Sequence, residues 1–153
     1  IFKVLKSFKG LNHRHEIFLK KKNISFINDS KATSFEASRF ALSSNKNIFW
    51  IVGGLPKLND RFKLKGLSNN IIKTFVIGKN LKFFKKQLAG KVNFEISKTL
   101  KKALVSIFKI IIKTPDKKAN ILLSPASASF DQFKNFEERG SYFNQLLRKY
   151  INA

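Results

Sequence analysis

Apolar runs of strand length alternate with helix-patterned segments along nearly the whole chain, and the strand-like runs close on Gly, Asn, Asp or Ser. Residues 15–20 and 24–27 read as two strands joined by a lysine-rich turn over 20–23. Residues 33–43 read as a helix with Phe35, Ala37, Phe40 and Ala41 on its apolar side. A buried strand over 47–52 ends at Gly53-Gly54, and another over 71–77 ends at Gly78. Residues 81–88 look helical, 92–96 extended and 99–112 helical. A short buried strand over 121–123 follows, and a helix over 137–151 closes the chain. Strands and helices in alternation specify an α/β, Rossmann-like domain, a mostly parallel sheet with helices on both faces. The polar, irregular stretch 58–70 is the expected long loop.

The length of 153 residues suits a single domain, able to bury ~70 % of its unfolded surface. The longest apolar stretch, Ala103 to Ile112, is interrupted by Ser106 and Lys109 and is too short to span a bilayer. No leader pattern opens the chain, and the absence of cysteine excludes disulfides and thiolate metal sites, so a cytoplasmic protein is expected. The first residue is Ile1 rather than Met. Residues 1–10 read as a linker entering a domain over 11–153, a piece of something longer.

A formal charge of +22 invites a nucleic-acid reading. Yet lysine is scattered over every segment and travels with abundant Asn, Ile and Phe, which share A- and T-rich codons with it. Drift in base composition accounts for that pattern without a partner. The interleaved Phe83, Phe84 and Phe108 fall at core-like positions, not on a stacking platform. A basic α/β module that binds nucleic acid or an acidic partner is the alternative reading. Any such binding is expected to be non-specific and salt-sensitive.

Parallel α/β sheets bind ligands at the carboxyl ends of their strands. Those ends read Asn28-Asp29-Ser30-Lys31, Gly53-Gly54-Leu55-Pro56-Lys57, Gly78-Lys79-Asn80 and Ser124-Pro125-Ala126-Ser127. Thr33 to Glu36 and Ser129 to Gln132 both match a capping box and read as helix starts. Each hydroxyl could simply cap its own helix, or the two positive helix ends could together receive an anion. Asp29 suits a ribose diol, but equally a turn cap or an ion pair with Lys31 or Arg14. Lys57 is either a ligand cation or one more solvated lysine. His13 and His15 alternate along an expected strand edge and lack a third metal ligand nearby. Ser127 and Ser129 have no histidine at a suggestive spacing, which argues against a serine hydrolase. No G-x-x-x-x-G-K-[ST] occurs.

As strings the motifs go further. Phe8-Lys9-Gly10-Leu11-Asn12-His13-Arg14-His15-Glu16, Phe26-Ile27-Asn28-Asp29-Ser30-Lys31-Ala32-Thr33 and Val52-Gly53-Gly54-Leu55-Pro56-Lys57 occur in order. The long string from Leu122 through Ser124-Pro125-Ala126-Ser127-Ala128-Ser129-Phe130-Asp131-Gln132 to Phe136 and Gly140 follows. Together they closely resemble the third domain of the Mur ligases, in the branch that adds D-glutamate in peptidoglycan biosynthesis. The resemblance implies a sugar-nucleotide domain and a central P-loop ATPase domain beside this one. It also implies ATP with Mg2+ as the energy source, held mainly by the central domain, with catalytic residues there and none here. The carboxylate of UDP-N-acetylmuramoyl-L-alanine would be phosphorylated and then attacked by the amine of D-glutamate. By position in the motifs, Arg14, Asp29 and Lys31 would contact ATP. Thr33, Lys57, Ser129, the N–H of Phe130 and the ring of Phe136 would hold D-glutamate. Asn12, Ser34 and Ser127 depart from the family's usual proline, asparagine and cysteine.

Overall fold

A computed structural model describes residues 10–152; of the expected linker over 1–10, only Gly10 lies among them. Six strands form one sheet: β1 (Glu16–Lys21), β2 (Ile24–Asn28), β3 (Ile48–Gly53), β4 (Ile71–Ile77), β5 (Phe94–Lys98) and β6 (Ala119–Leu123). Four helices accompany them: α1 (Phe35–Ser44), α2 (Leu81–Leu88), α3 (Leu100–Lys113) and α4 (Phe136–Ile151). The strand order is β1-β2-β6-β3-β4-β5. Only β1, tied to β2 by a tight turn, runs antiparallel; every other pairing is parallel.

The central strand β3, Ile-Phe-Trp-Ile-Val-Gly, is buried at every position, as a parallel strand covered on both faces must be. Its side chains alternate between two apolar layers. Phe49 and Ile51 join Leu104 and Ile107 of α3 and Phe143 and Leu147 of α4. Ile48, Trp50 and Val52 join Phe35, Ala41 and Leu42 of α1 with Phe84 and Leu88 of α2. The expected architecture is therefore present, with helices on both faces.

Three local expectations are corrected. The stretch 58–70 is a long loop, but Phe62, Leu64 and Leu67 are buried in the second layer while Arg61, Lys63 and Lys65 face outward. Phe62 stacks on Phe35 with ring centres 4.8 Å apart, so this loop serves as part of the core. In α1 the buried face is Phe35, Ser38, Ala41 and Leu42, whereas Ala37 is exposed and Phe40 is 65 % exposed. Ser38 is turned inward because its hydroxyl bonds to Ser124. The helix cap also sits one residue later than the capping box suggests. Ser34 accepts from the N–H of Ala37 (3.2 Å), and Asp60 takes the N–H of Phe35 (2.9 Å). Replacing Ser34 with Ala should therefore cost ~1 kcal/mol of stability in urea unfolding, as a lost N-cap does. Thr33→Ala should stay within ~0.5 kcal/mol. Equal losses at both positions would place the cap wrongly.

Candidate functional site

The strand order sets the ends of β2, β6, β3 and β4 side by side. Beyond the paired residues their loops keep bonding one another. The N–H of Asp29 donates to Leu123 O (2.7 Å), and that of Gly53 to Pro125 O (3.0 Å). Leu55 and Ala128 exchange two bonds of 2.8 and 2.9 Å. Gly54 has φ +141°, and a Cβ there would lie 2.2 Å from Ala128 O and 2.7 Å from Ser127 Oγ. Only glycine lets the loops after β3 and β6 approach this closely.

Asp29 is 7 % exposed and held at both oxygens. Oδ1 accepts from the N–H of His15 (3.0 Å) and Oδ2 from the hydroxyl of Ser124 (2.7 Å). Ser124 continues inward to Ser38 Oγ (2.8 Å), and its carbonyl accepts from Trp50 Nε1 (2.7 Å). Burial pushes the Asp29 carboxyl above the ordinary carboxylate value, and the Ser124 and His15 contacts pull back only part of the way. Neither Lys31 nor Arg14 pairs with it; the ion pairs among the described residues are Glu36–Arg39 and Lys73–Glu95. Of the two internal roles expected for it, the turn cap is formed and the ion pair is not, with the N–H of His15 as the donor. His13 and His15 are not on a strand edge. They precede β1 with left-handed φ of 62° and 46°, which turn the chain between the residue 10–12 segment and the sheet.

The remaining residues of interest sit around this edge. The Nζ of Lys31 lies 4.3 Å from the ring centre of Phe136, so one residue of each expected set is brought together there. Arg14 and Phe136 share an open cavity of about 490 Å³ with Gly10, Leu11, Asn12, His13 and Glu137. Thr33 is half-buried beside the cap of α1. The Asp60 bond to Phe35 draws that cap toward the turn in which Lys57 O accepts from the N–H of Asp60 (3.0 Å). The side chain of Lys57 is exposed, and Phe130 is 67 % exposed. Ser129 is 1 % exposed, and its hydroxyl has no hydrogen-bond partner among the described residues.

Ser129 is not the start of a helix. Its carbonyl accepts from the N–H groups of Gln132 and Phe133, a single turn that goes no further. Asp131 is drawn to the N–H of Lys79 (2.9 Å) and Gln132 to Lys98 O (3.0 Å), which hold this loop over the ends of β4 and β5. The helix begins at Phe136, where Asn135 accepts from the N–H of Glu138 (2.8 Å) and Glu138 accepts from the N–H of Lys134. The picture of two helix starts facing one cleft at Thr33 and Ser129 therefore fails at Ser129.

No family model matches the sequence. Curated relatives do. The chain is 43 % identical over 145 residues to the UDP-N-acetylmuramoylalanine–D-glutamate ligase of Wolbachia sp. subsp. Brugia malayi, covering 95 % of this chain and 29 % of the relative. It is 45 % identical over 144 residues to the ligase of that name from Nitrobacter hamburgensis, covering 94 % and 31 %. The chain belongs to the Mur ligase family. It spans about 30 % of the length of the curated relatives it matches, Rhizobium meliloti's included.

Two residues at the Mur ligase edge escaped the sequence reading. Gly140 of α4 stands against the His13 ring, and a Cβ there would meet Nδ1 at 2.4 Å, so a glycine lets the entering segment pack on the helix. Arg139 is 1 % exposed beneath the site. Its signal was available: Phe143, Leu146 and Leu147 follow at i+4, i+7 and i+8, so Arg139 lies on the buried stripe of its helix.

Proposed function

We propose that the chain is the carboxyl-terminal, amino-acid-binding domain of an ATP-dependent amide ligase that adds D-glutamate to UDP-N-acetylmuramoyl-L-alanine in peptidoglycan biosynthesis. The observation that carries this is an identity of 43–45 % running through nearly all of this chain and only about 30 % of each ligase. Residues 11–153 would form the domain, and the first ten residues the linker from a central ATPase domain. A cytoplasmic site of action goes with this reading, and among the described residues no helix is long and apolar enough to cross a membrane.

The donor chemistry at the edge fits such ligands. Asp29 has both oxygens anchored internally, and each keeps a further lone pair that a ribose diol could use. Arg14 and Lys31 add positive charge beside it for a nucleotide's phosphates. D-glutamate brings two carboxylates. Lys57 offers an exposed cation, Thr33 and Ser129 offer hydroxyls, and Phe130 adds a backbone N–H at an open loop. Phe136 presents a ring flank to the ligand's carbon chain. ATP supplies the phosphoryl group that activates the acceptor carboxylate, and its magnesium ion would be held mainly by the rest of the ligase. This chain's part is to bind the amine donor and bring it to that carboxylate.

Two measurements test the reading. The isolated chain should fold yet release no ADP from ATP above a heat-killed control, because it contains no P-loop sequence. Turnover by the purified chain would overturn the domain assignment. A chimaera in which the chain replaces the matching segment of the Nitrobacter hamburgensis relative should release ADP only when D-glutamate and the sugar-nucleotide acceptor are both supplied. A soluble, folded chimaera with no such dependence would count against the function.

A further inference from the structure

Arg139 stands where three loops meet. Its Nε donates to Ser30 Oγ (3.0 Å) and its Nη2 to Ser30 O (2.7 Å), in the loop after β2. Ser30 Oγ donates in turn to Phe136 O (2.8 Å). The same turn of α4 is held to β2 again, since Asn28 Nδ2 donates to Gly140 O (2.9 Å) and Asn144 Oδ1 (2.8 Å). The third nitrogen, Nη1, has no hydrogen-bond partner among the described residues. It lies 3.3 Å from the point a Cβ on Gly54 would occupy, the same point that Ser127 Oγ and Ala128 O crowd. One planar head thus spans the loop after β2, the loop after β3 and the loop after β6.

No carboxylate among the described residues lies within 4.0 Å of this cation. Burial pushes the guanidinium down to about 10, against the opposing charge of Asp131, so it remains a cation at neutral pH. An interior cation without an ion-pair partner costs folding energy, and methionine or leucine would fill that stripe of α4 more cheaply. The fold keeps a forked donor there instead, and a rigid planar fork fixes both atoms of Ser30 in one geometry, which a rotating lysine ammonium does not.

We propose that Arg139 is the positioning residue that keeps both ligand subsites in one register. It clamps the Asp29–Lys31 loop on the nucleotide side and backs the Gly54 and Ser127–Ser129 loops on the amino-acid side. The proposal rests on the ligase reading above.

The test is steady-state kinetics of the chimaera with Arg139→Met, Arg139→Lys and Ser30→Ala, with a Tm for each. Arg139→Met is expected to shift Tm by only a few degrees while raising the KM of ATP and of D-glutamate together, by about tenfold each. Arg139→Lys, with the charge but not the fork, is expected to recover less than half of that rise on a logarithmic scale. Constants that stay at wild-type values, or a rise confined to one ligand, would overturn the proposal. If Arg139→Met does not fold, Ser30→Ala decides: both constants are expected to rise severalfold, and unchanged constants reject the clamp. A wild-type chimaera lacking D-glutamate-dependent activity overturns the ligase reading and this proposal together. An active wild type with indifferent Arg139 and Ser30 variants overturns the clamp alone.

Discussion

Replacing Lys57 with Met in the chimaeric ligase should lower kcat/KM for D-glutamate by ~2–5 kcal/mol, the range for a desolvated charge that loses its partner. Methionine keeps much of the lysine stem and removes only the cation. In the chain alone Lys57 is exposed and has no carboxylate within ion-pair distance among the described residues. The same substitution should therefore leave the isolated chain's stability within ~0.5 kcal/mol of wild type. A large kinetic loss beside unchanged stability is the mark of a ligand contact. Ser129→Ala should cost less in kcat/KM, ~1–2 kcal/mol, because backbone N–H groups remain nearby. It should not lower stability, since the hydroxyl is buried without a partner and its removal relieves an unsatisfied group. If both residues hold one ligand, the double variant should fall short of the sum. Wild-type D-glutamate kinetics in Lys57→Met would mean that it is one more surface lysine.

What the sequence made legible, and what it hid, have separate physical causes. Strand and helix periods are repeated signals. The strand over 71–77 and the helix over 81–88 have the boundaries read from sequence, and the other elements differ by at most two residues at either end. Single-residue decisions are not repeated signals. Thr33 and Ser34 are adjacent hydroxyls, each with helix-forming sequence behind it, and the bond from Phe35 N–H to distant Asp60 accompanies the choice of Ser34. Ser129-x-x-Gln132 and Asn135-x-x-Glu138 are likewise competing starts. Asp131 and Gln132 bond to Lys79 and Lys98, residues far away in sequence, and no local pattern could reveal that. Arg61, Lys63 and Lys65, alternating with Phe62 and Leu64, disguised an inward-outward alternation as a polar loop. Arg139 was hidden by expectation, because arginine in a helix is ordinarily a surface residue.

Asp29→Asn should do two opposite things. In the chimaera it should raise the KM of ATP by the worth of a charged hydrogen bond, ~1.5–3 kcal/mol, and leave that of D-glutamate almost unchanged. In the isolated chain it should raise the melting temperature at neutral pH. Burial lifts the Asp29 carboxyl above its ordinary 3.8, so the folded chain holds that proton more tightly than the unfolded one. The group's contribution to stability is then greatest at low pH, declines as pH rises from about 3.8 through the folded value, and stays at its minimum at pH 7. Asparagine removes the buried charge but can keep the network. Its oxygen accepts from the N–H of His15, its amide donates to Ser124 Oγ, and the Ser124 proton turns to Ser38, which already lies 2.8 Å away. A gain on the order of 1 kcal/mol would appear as about 2–4 °C in a chain of this size. It should vanish near pH 3, where both side chains are neutral. A carboxylate kept at a cost to the fold because a nucleotide needs it would be the usual trade between stability and function. Melting curves of the two chains from pH 3 to 8, set beside ATP kinetics of the two chimaeras, separate the effects. An Asn variant less stable at pH 7 would show that the charge serves the fold, and a risen D-glutamate KM would move Asp29 to the other subsite.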